Sequence, residues 1–477
     1  MENRHQEKKE RNKMSSAYRI EKDSMGEVKV PKAALYGAQT QRAVDNFPVS
    51  GICISRPLIH ALGVIKQGAA KVNAEMDNIP EDVAHAIQLA AQEVIDGKLD
   101  EHFPIDIYQT GSGTSSNMNA NEVIAHRAME LVPDLSVKVH PNDHINFGQS
   151  SNDTFPTAIR IAGYIEAKNV LIPVLKFLRE TFLKKGAEYS HVVKTGRTHL
   201  MDAMPVTVEQ EFGGYARQIE IGIQRIESAL QQMAELPMGG TAVGTGINTD
   251  PEFPPKFAAE ISKLAGESFR EAENHFEAQA TVDAPVALGA QLKTMAVSLL
   301  KIVNDLRWMN SGPNGGLGEI QLAALQPGSS IMPGKVNPVI EESMAMACAQ
   351  VIGYDTSISV GGLSGNFELN VMLPMVAHSL LESIRLLTNA SRNLAERSVS
   401  RIVVREDHIE TLVGKNPILV TTLNPLIGYD LAAKIAKKAF AENRALKEVA
   451  LEMCDLSEAE LDKALDPVRM TKGGFVE

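Results

Sequence analysis

The chain of 477 residues is 44% hydrophobic and 22% charged, which allows a sizeable core and about three domain-sized units. Its formal net charge of −12 argues against a nucleic-acid partner, because phosphate binding requires clustered lysine and arginine. The three scattered cysteines show no metal-like spacing, so we expect three ordinary buried or half-buried thiols in a reducing cytoplasm and no disulfide framework.

The N-terminal end carries a basic run at residues 8–13, and residues 1–16 are predicted to form a disordered, charged tail. The first thirty residues lack the apolar core of a secretion signal and contain too many acids for a typical transit peptide. No uninterrupted apolar stretch approaches the ~20 residues of a membrane span. We therefore expect a cytoplasmic protein without a membrane partner.

Residues 17–149 are assigned to an N-terminal domain. Its strand-like patches are Val28–Val30 and the pair Leu35-Tyr36. Near its end, the polar segment Gln109–Asn117 leads into a helix predicted from about Glu122 to Leu131. Taken alone, the glycines and hydroxyl residues of this segment are better explained by ordinary helix capping.

The same domain contains the segment His140–His144, in which two histidines and an aspartate lie close together. This spacing matches no standard metal motif, so no metal is expected. A second polar segment, Gln149–Asp153, follows directly and precedes Pro156.

Residues 150–400 are assigned to a central domain of long helices. The clearest is predicted at Asp283–Asn310, where apolar residues recur at alternating steps of four and three and form one stripe: Leu288, Leu292, Met295, Leu299, Ile302 and Leu306. Other long helices are predicted at Pro156–Lys185, Pro205–Leu236, Pro338–Tyr354 and Pro374–Arg397. Several exceed the usual ~11–12 residues, which indicates a bundle with some faces covered by other subunits.

A third polar segment, Gly196–His199, precedes the helix predicted from Pro205. A lone histidine such as His199 is most often structural. The later stretch Gly239–Gly246 is rich in glycine, but it lacks the terminal Gly-Lys-Ser/Thr and the preceding strand of a phosphate loop. Nucleotide binding is therefore not expected.

The fourth polar segment, Gly328–Asn337, precedes Pro338, with Asn337 placed as a helix cap. Capping does not require two serines, two glycines and a lysine within ten residues, so this segment favours a chemical role. Its glycines allow the loop to close over a substrate, and Lys335 can neutralise a carboxylate. Glu342, about one turn into the next helix, could raise the basicity of a histidine such as His199.

Residues 401–477 are assigned to a small C-terminal domain with a strand patch at Arg401–Val404 and short helices such as Asp430–Ala441. All four polar segments are predicted to lie directly ahead of helices. Helix N-termini offer unpaired N–H groups, and the neighbouring Ser, Thr and Asn add neutral donors. If the four starts converge, they form a pocket suited to carboxylates.

The segment Gly328–Asn337 resembles the hallmark of the fumarase/aspartase superfamily. The resemblance extends over nearly the whole chain beyond the tail, and six further segments are similar to class II fumarases: Gly37–Arg42, Gln109–Asn117, His140–Asp143, Gly196–Leu200, Gly239–Gly246 and Gly365–Val371. It implies a mainly α, three-domain fumarase/aspartase-like fold whose central long-helix bundle assembles into a tetrameric helical core. Three stretches that separate fumarases from aspartases are fumarase-like here: Ala38–Gln41, Gly111–Thr114 and Asn366–Glu368.

The resemblance implies a fumarate hydratase of the tricarboxylic acid cycle, without metal or cofactor, that interconverts fumarate and L-malate by anti addition or elimination of water through a carbanion. Ser329 would abstract the C3 proton, and Lys335 and Asn337 would hold the carboxylate that takes up the charge. His199, oriented by Glu342, would handle the proton of the water. The other substrate-binding residues would be Ser112, Gly113, Thr114, Ser150, Ser151, Asn152, Thr198, Ser330 and Val336.

In this family, three subunits of a homotetramer share each active site, and His140, Asn142 and Asp143 would form a secondary dicarboxylate site. The pair Phe147-Gly148 stands where many members have Lys-Ser, just outside the residues expected to touch substrate. Two alternatives stay open. One is aspartate ammonia-lyase or another lyase on the same scaffold. The other is a catalytically silent homologue, which should have lost the catalytic residues that are present here.

Overall fold

The computed structural model describes residues 17–474, and the predicted tail at residues 1–16 lies outside them. Most of the described chain is helical, and its strands form only two-stranded sheets. This confirms the prediction of a mainly α fold.

The first half of the described chain contains, in order, β1 (Tyr18–Asp23), β2 (Gly26–Pro31), α1 (Ala38–Asn46), α2 (Arg56–Glu75), α3 (Glu81–Ile95), α4 (Thr114–Leu131), α5 (Ser151–Ile165), α6 (Ile172–Glu188), β3 (Val193–Thr198), β4 (Met201–Thr207) and α7 (Val208–Met233). Short π-helical stretches occur at Pro141–Ile145 and Glu166–Leu171.

The second half continues with β5 (Glu235–Leu236), α8 (Phe253–Ala265), β6 (Arg270–Glu271), α9 (His275–Ala280), α10 (Asp283–Met309), β7 (Ile320–Gln321), α11 (Val339–Leu363), β8 (Gly365–Asn366), β9 (Leu369–Asn370), α12 (Leu373–Asn393), β10 (Val403–Val404), α13 (Glu406–Gly414), α14 (Asn424–Ile427), α15 (Tyr429–Glu442), α16 (Leu446–Met453), α17 (Glu458–Ala464) and α18 (Pro467–Met470).

The chain packs into two compact units. Unit 1 contains the described residues up to Ile172 together with Gln224–Thr294 and Ala349–Leu387. Unit 2 contains Pro173–Ile223, Met295–Cys348 and the described residues from Thr388 onward. The division into three domains at residues 149 and 400 stays a prediction.

Unit 1 is built around α2, which packs against α3, α5 and α8. The contact between α2 and α3 is close because small residues face it. A Cβ atom on Gly63 would lie 3.2 Å from the backbone nitrogen of Ile95, and Ala61, Ala90 and Ala91 are fully buried. This tight pairing fixes α2 against α3.

Unit 2 contains the antiparallel hairpin β3–β4, the antiparallel pair β7–β10 and the short C-terminal helices. Its core includes three aromatic rings, Phe182, Phe212 and Tyr215, whose centroids lie 5.7–5.9 Å apart. Helix α13 packs on β3, so the hairpin is held from one side by a helix.

The long helix predicted at Asp283–Asn310 is confirmed as α10, and all six residues of its apolar stripe are fully buried. Among the described residues, α10 is also the one helix whose length and apolar composition would suffice to cross a membrane. Core helices pass the same test, and a buried stripe is the expected property of a core helix.

Several boundaries differ from the sequence predictions. The helix expected from Pro205 begins at Val208, because Pro205 lies in β4 opposite Thr195. A proline can occupy a two-stranded ribbon because its missing N–H need not be paired there. The Leu35-Tyr36 pair is not in a strand, and Cys53 is exposed rather than buried.

Candidate active site

The first polar segment ends at the start of α4, where two glycines allow backbones to approach closely. Gly113 caps α4 with a left-handed φ of +76°, and a Cβ atom there would lie 2.2 Å from the ring of Phe155. A Cβ atom on Gly111 would lie 1.8 Å from the carbonyl oxygen of Val371. Neither position has room for a side chain.

Ser112 and Thr114 flank this capping glycine, and their hydroxyl oxygens lie 2.8 Å apart. Ser112 is buried and Thr114 is half-buried. Since one hydroxyl donates to the other, the second hydroxyl keeps its proton for another acceptor. A carboxylate oxygen is such an acceptor.

The second polar segment forms the first turn of α5. The hydroxyl of Ser150 accepts a hydrogen bond from the backbone N–H of Asn152 at 3.2 Å, and the carboxylate of Asp153 accepts one from the N–H of Ser150 at 2.9 Å. This reciprocal cap holds the helix start in one conformation. Ser151 and Asn152 are half-buried in that turn.

Asn117 joins the two helix starts. Its amide nitrogen donates to the hydroxyl of Ser151 at 3.0 Å and to the side-chain oxygen of Asn146 at 3.1 Å. Because Asn117 lies in the first turn of α4 and Ser151 is the first residue of α5, two helix N-termini lie side by side within unit 1. The structure therefore brings together the first two predicted segments, at a place suited to anions.

Asp153 attaches the glycine-rich loop to the start of α5. Its buried carboxylate accepts hydrogen bonds from the backbone N–H groups of Gly239 at 3.1 Å and Thr241 at 2.9 Å. Asn152 donates to the carbonyl oxygen of Ala242 at 2.8 Å. Burial raises the pKa of Asp153 to about 6, although the backbone donors partly oppose that rise. The loop thus supports the helix start.

A buried lysine lies on the other side of this turn. Lys66 of α2 has no exposed surface, and its ammonium donates to the side-chain oxygens of Asn146 at 3.0 Å and Gln149 at 2.9 Å. Burial lowers the pKa of Lys66 to about 7, and the carboxylate of Asp153 partly opposes that fall. A cation held by neutral oxygens alone contributes positive potential to its surroundings.

The segment Gly37–Arg42 has a structural role. The carboxylate of Glu122, on α4, accepts hydrogen bonds from the backbone N–H groups of Gly37, Gln39 and Thr40 at 2.8, 3.0 and 3.1 Å, and another from the Thr40 hydroxyl at 2.6 Å. A carboxylate at the N-terminus of α1 accepts hydrogen bonds from the unpaired N–H groups of that helix and interacts favourably with the helix dipole.

The predicted secondary site lies on the π-helical turn Pro141–Ile145. His140 Nδ1 lies 3.0 Å from a carboxylate oxygen of Asp143, and the backbone N–H of His140 donates to His144 Nδ1 at 2.8 Å. The exposed Asn142 joins them in lining a cavity of about 590 Å³. Within residues 17–474, no group of three or more His, Cys, Asp or Glu side chains is arranged to hold a metal ion.

The third polar segment lies in unit 2, at the tip of the hairpin β3–β4. Thr198 ends β3, and His199 and Leu200 form a two-residue turn with left-handed φ values of +57° and +60°. Non-glycine residues rarely adopt this backbone, and such strain is concentrated at functional sites. In the described part of the chain, the exposed side chains of Thr198 and His199 have no hydrogen-bond or ion-pair partner.

A buried ionic cluster anchors this hairpin. Glu319 accepts from Arg197 at 2.6 Å and lies 2.7 Å from the ammonium of Lys194, which also pairs with Glu211 at 2.7 Å. Burial alone would raise the pKa of Glu319, but Lys194 and Arg197 outweigh it and lower that pKa. Since Arg197 precedes His199 by two residues, the cluster holds the base of the turn.

The fourth polar segment forms a loop in unit 2. The hydroxyl oxygen of half-buried Ser329 accepts hydrogen bonds from the backbone N–H groups of Ile331 at 3.2 Å and Met332 at 3.1 Å. The loop is closed at its base, where the N–H of Gly328 donates to the carbonyl oxygen of Lys335 at 2.9 Å. Two donors aimed at one hydroxyl oxygen favour its deprotonated form. Ser330, next to it, is exposed.

The end of this loop leads into α11. Asn337 donates from its amide nitrogen to the carbonyl oxygen of Gly328 at 2.7 Å. Exposed Lys335 and Val336, with half-buried Glu342, border a cavity of about 440 Å³. Over the range 17–474, the ammonium of Lys335 has no ion-pair partner, so it is available to a carboxylate from outside the chain.

His199 and Glu342 were predicted to act as a pair. Within the described residues of one chain, no hydrogen bond or ion pair joins them. The neighbouring carboxylate Glu341 is instead the buried one: it accepts from the Ser398 hydroxyl, and burial raises its pKa. A single chain thus does not assemble the predicted histidine–carboxylate pair.

Known proteins resemble this chain over nearly its full length. Residues 26–353 match the family model described as Lyase, and residues 419–472 match the one described as Fumarase C C-terminus. Fumarate hydratase class II of Xylella fastidiosa is 54% identical over 461 residues, which are 97% of each chain. The enzyme of that name from Mycobacterium tuberculosis is 50% identical, over 96% of this chain and 97% of its own.

The chain belongs to the class II fumarate hydratase family. Solved structures agree. The crystal structure of recombinant class II fumarase from Schistosoma mansoni has a TM-score of 0.92 at 39% identity, over 95% of this chain and 99% of that one. A fumarate lyase:delta crystallin from Brucella melitensis, bound to cobalt, has a TM-score of 0.91 at 42% identity, over the same shares. The expected fumarase-like fold is therefore confirmed, and the chain is a member of a lyase family.

Sequence reasoning missed the residues that hold the predicted segments in place. They are Lys66, Glu122, Asn146, Lys194 and Glu319. One signal was available for Lys66, which stands at a core-facing helical position, four residues after Leu62 and three before Ala69. The others look like ordinary surface residues until their partners, distant in sequence, are known.

Proposed function

We propose that this protein interconverts fumarate and L-malate by reversible addition of water. The observation that carries the proposal is the paired start of α4 and α5, where hydroxyl and amide groups surround two helix N-termini joined through Asn117 and Ser151. Such a place binds a carboxylate through neutral donors and helix dipoles. Membership of the class II fumarate hydratase family supports the same substrate.

The dicarboxylate would be held by the groups gathered at these two helix starts: Ser112, Gly113, Thr114, Ser150, Ser151 and Asn152. The spare hydroxyl proton of the Ser112–Thr114 pair and the amide groups of the first turns would bind one carboxylate. Thr198, Ser330, Val336 and Asn337 would complete the binding site.

Ser329 would act as the base that removes the proton from C3 of malate. Its hydroxyl oxygen accepts two backbone hydrogen bonds, which would stabilise the alkoxide. Removal of this weakly acidic proton places negative charge on the adjacent carboxylate. Lys335 and Asn337 would stabilise that charge as it develops, and such preorganised stabilisation is often the largest catalytic contribution. Loss of hydroxide from C2 then gives fumarate.

His199 would exchange the proton of the departing or attacking water, with Glu342 raising its basicity. These two residues do not meet within one chain, and both His199 and Lys335 are exposed without ion-pair partners among residues 17–474. We therefore propose a homotetramer in which three subunits supply the residues of each active site. This arrangement would also explain why His199 and Lys335 are exposed in a single chain, because other subunits would cover them.

Three further expectations stay proposals. His140, Asn142 and Asp143 would bind a second dicarboxylate, and the protein would act in the cytoplasm as part of the tricarboxylic acid cycle. The chemistry assigned above uses only side chains and backbone donors of the protein, so neither a metal nor an organic cofactor is proposed.

The test is a spectrophotometric assay of the purified, chelator-treated protein that follows fumarate absorbance with L-malate and, separately, with L-aspartate. Fumarate formed from malate alone supports the proposal. Fumarate formed from aspartate instead would show an ammonia-lyase, and no fumarate from either substrate would contradict the proposed chemistry. Light scattering of the same sample measures the oligomeric state.

A further inference from the structure

Lys66 is a fully buried lysine, and core packing alone does not explain why a charged side chain occupies this position. Its side chain has no exposed surface, yet among the described residues the ammonium contacts two neutral amide oxygens and no carboxylate within hydrogen-bond distance. Burying an ammonium without a charged partner costs several kcal/mol. A methionine of similar length would avoid this cost.

The ammonium lies at the centre of a network that ends at the proposed substrate site. Asn146 Oδ1 accepts from Lys66 at 3.0 Å and from Asn117 at 3.1 Å, and Asn117 donates to Ser151 Oγ at 3.0 Å. Lys66 Nζ therefore lies within roughly 9 Å of Ser151 Oγ, a distance over which charges inside a protein still interact.

The same ammonium organises the turn that precedes α5. Gln149 accepts from Lys66 through its side-chain oxygen, and its amide nitrogen donates to the carbonyl oxygens of Ile145 at 3.0 Å and Phe147 at 3.3 Å. Asn146 closes the turn by donating to the carbonyl oxygen of Gln149 at 3.1 Å. Lys66 thus contacts both side chains, Asn146 and Gln149, that hold the backbone leading into Ser150.

We propose that Lys66 is a positioning residue of the dicarboxylate site, which holds the starts of α4 and α5 together and, in its protonated form, supplies positive potential for a dianion that it does not touch. This inference rests on the proposed function. The charged group that acts on Lys66 from a neighbouring element is Asp153 on α5, which is buried as well. Two negative charges of a substrate nearby would favour the protonated form of Lys66.

The steady-state test compares Lys66→Met with Lys71→Met, the same change made on the same helix at an ammonium that is paired with Glu260 and more than a third exposed. We expect Lys66→Met to raise KM for L-malate by about tenfold or more and to change kcat by less than about threefold, because it removes binding of ground state and transition state alike. Lys71→Met should leave both constants within about twofold.

Proton uptake provides a readout that a purely structural role would not change. At pH 8, one unit above a pKa of about 7, about nine-tenths of Lys66 side chains are neutral in the empty protein. Binding of succinate, a dicarboxylate that cannot be dehydrated, should then take up more protons per site in the unaltered protein than in Lys66→Met. Isothermal titration calorimetry in buffers of different ionisation enthalpy measures this number.

The experiments distinguish a failure of the proposed function from a failure of the role of Lys66. If the unaltered protein does not form fumarate from malate, the proposed function fails. If it does, while Lys66→Met keeps the same KM and proton uptake, only the role of Lys66 fails. Should Lys66→Met not assemble, Lys66→Gln serves as the second variant: a raised KM for L-malate at little changed kcat supports the role, and an unchanged KM in the folded variant overturns it.

Discussion

Replacing Gly113 by alanine tests whether the close approach of α4 and α5 is needed for the site. Gly113 caps α4 with φ of +76°, and its missing Cβ atom would lie 2.2 Å from the ring of Phe155, which is fully buried in α5. Because that ring has no solvent to move into, an alanine must push the two helix starts apart. The separation would break the alignment that Asn117 provides between them.

Two costs add at this position. A left-handed backbone costs an alanine about 1–2 kcal/mol, and overpacking a filled core costs about 1–3 kcal/mol. Gly113→Ala should therefore destabilise unit 1 by about 2–5 kcal/mol. Gly266 provides the matched control: it caps α8 at φ of +68°, and a Cβ atom there would have nothing within 4 Å. Gly266→Ala should lose only about 1–2 kcal/mol, from the backbone alone.

The assay measures thermal midpoints of both variants together with kcat and KM for L-malate. We expect Gly113→Ala to show the larger fall in midpoint and a raised KM, and Gly266→Ala to keep unaltered kinetics. Equal falls in midpoint for the two variants would refute the argument, because the contact with Phe155 would then contribute nothing. Unaltered KM in a destabilised Gly113→Ala would refute the link between this packing and substrate binding.

Three further predictions follow from the geometry. Ser329→Ala should abolish turnover while the protein keeps its circular dichroism and oligomeric state, whereas Ser330→Ala should retain measurable turnover; near-normal activity of Ser329→Ala would eliminate it as the base. The lowered pKa of Glu319 means that its pairing with Lys194 and Arg197 stabilises the protein fully above the ordinary carboxyl pKa of about 4.3. This stabilisation is lost progressively as pH falls from that value through the lowered one. Glu319→Gln should therefore lower the free energy of unfolding at pH 7 by about 3–5 kcal/mol, and at pH 3 by up to about 1.8 kcal/mol less than that. An equal loss at both pH values would contradict the ionic role. Treatment with a chelator should leave the malate activity unchanged, and activity restored only by added metal would show that a metal is required.

Local patterns predicted the long helices well. The stripe of α10 was read from spacing alone, and its helix ends within one residue of the predicted end, Asn310. Such a stripe is visible in sequence because residues spaced by alternating steps of four and three fall on one face of a helix. The start of α5 was visible in the same way, because Ser150 and Asp153 form its reciprocal cap. The prediction of Asn337 as the cap of α11 was wrong, since its amide donates to the carbonyl oxygen of Gly328.

The hairpin that carries His199 was not predicted. Its strands contain Pro205 and polar residues, and their pairing is stabilised by α13 and by Glu319, which lies more than a hundred residues away in sequence. Strand propensity depends on such neighbours more than helix propensity does. The position of His199 on an exposed, left-handed turn therefore emerged only from the folded chain.

The sequence by itself determined the helical class of this protein, the segments that cap its helices and the family to which it belongs, because these depend on the order and type of neighbouring residues. Only the tertiary structure decided that the starts of α4 and α5 meet through Asn117, that Lys66 is buried beneath them, and that His199 and Glu342 remain apart within one chain. The reason is physical: hydrogen bonds and charge burial between distant segments depend on where the chain brings them, and no local pattern records that position.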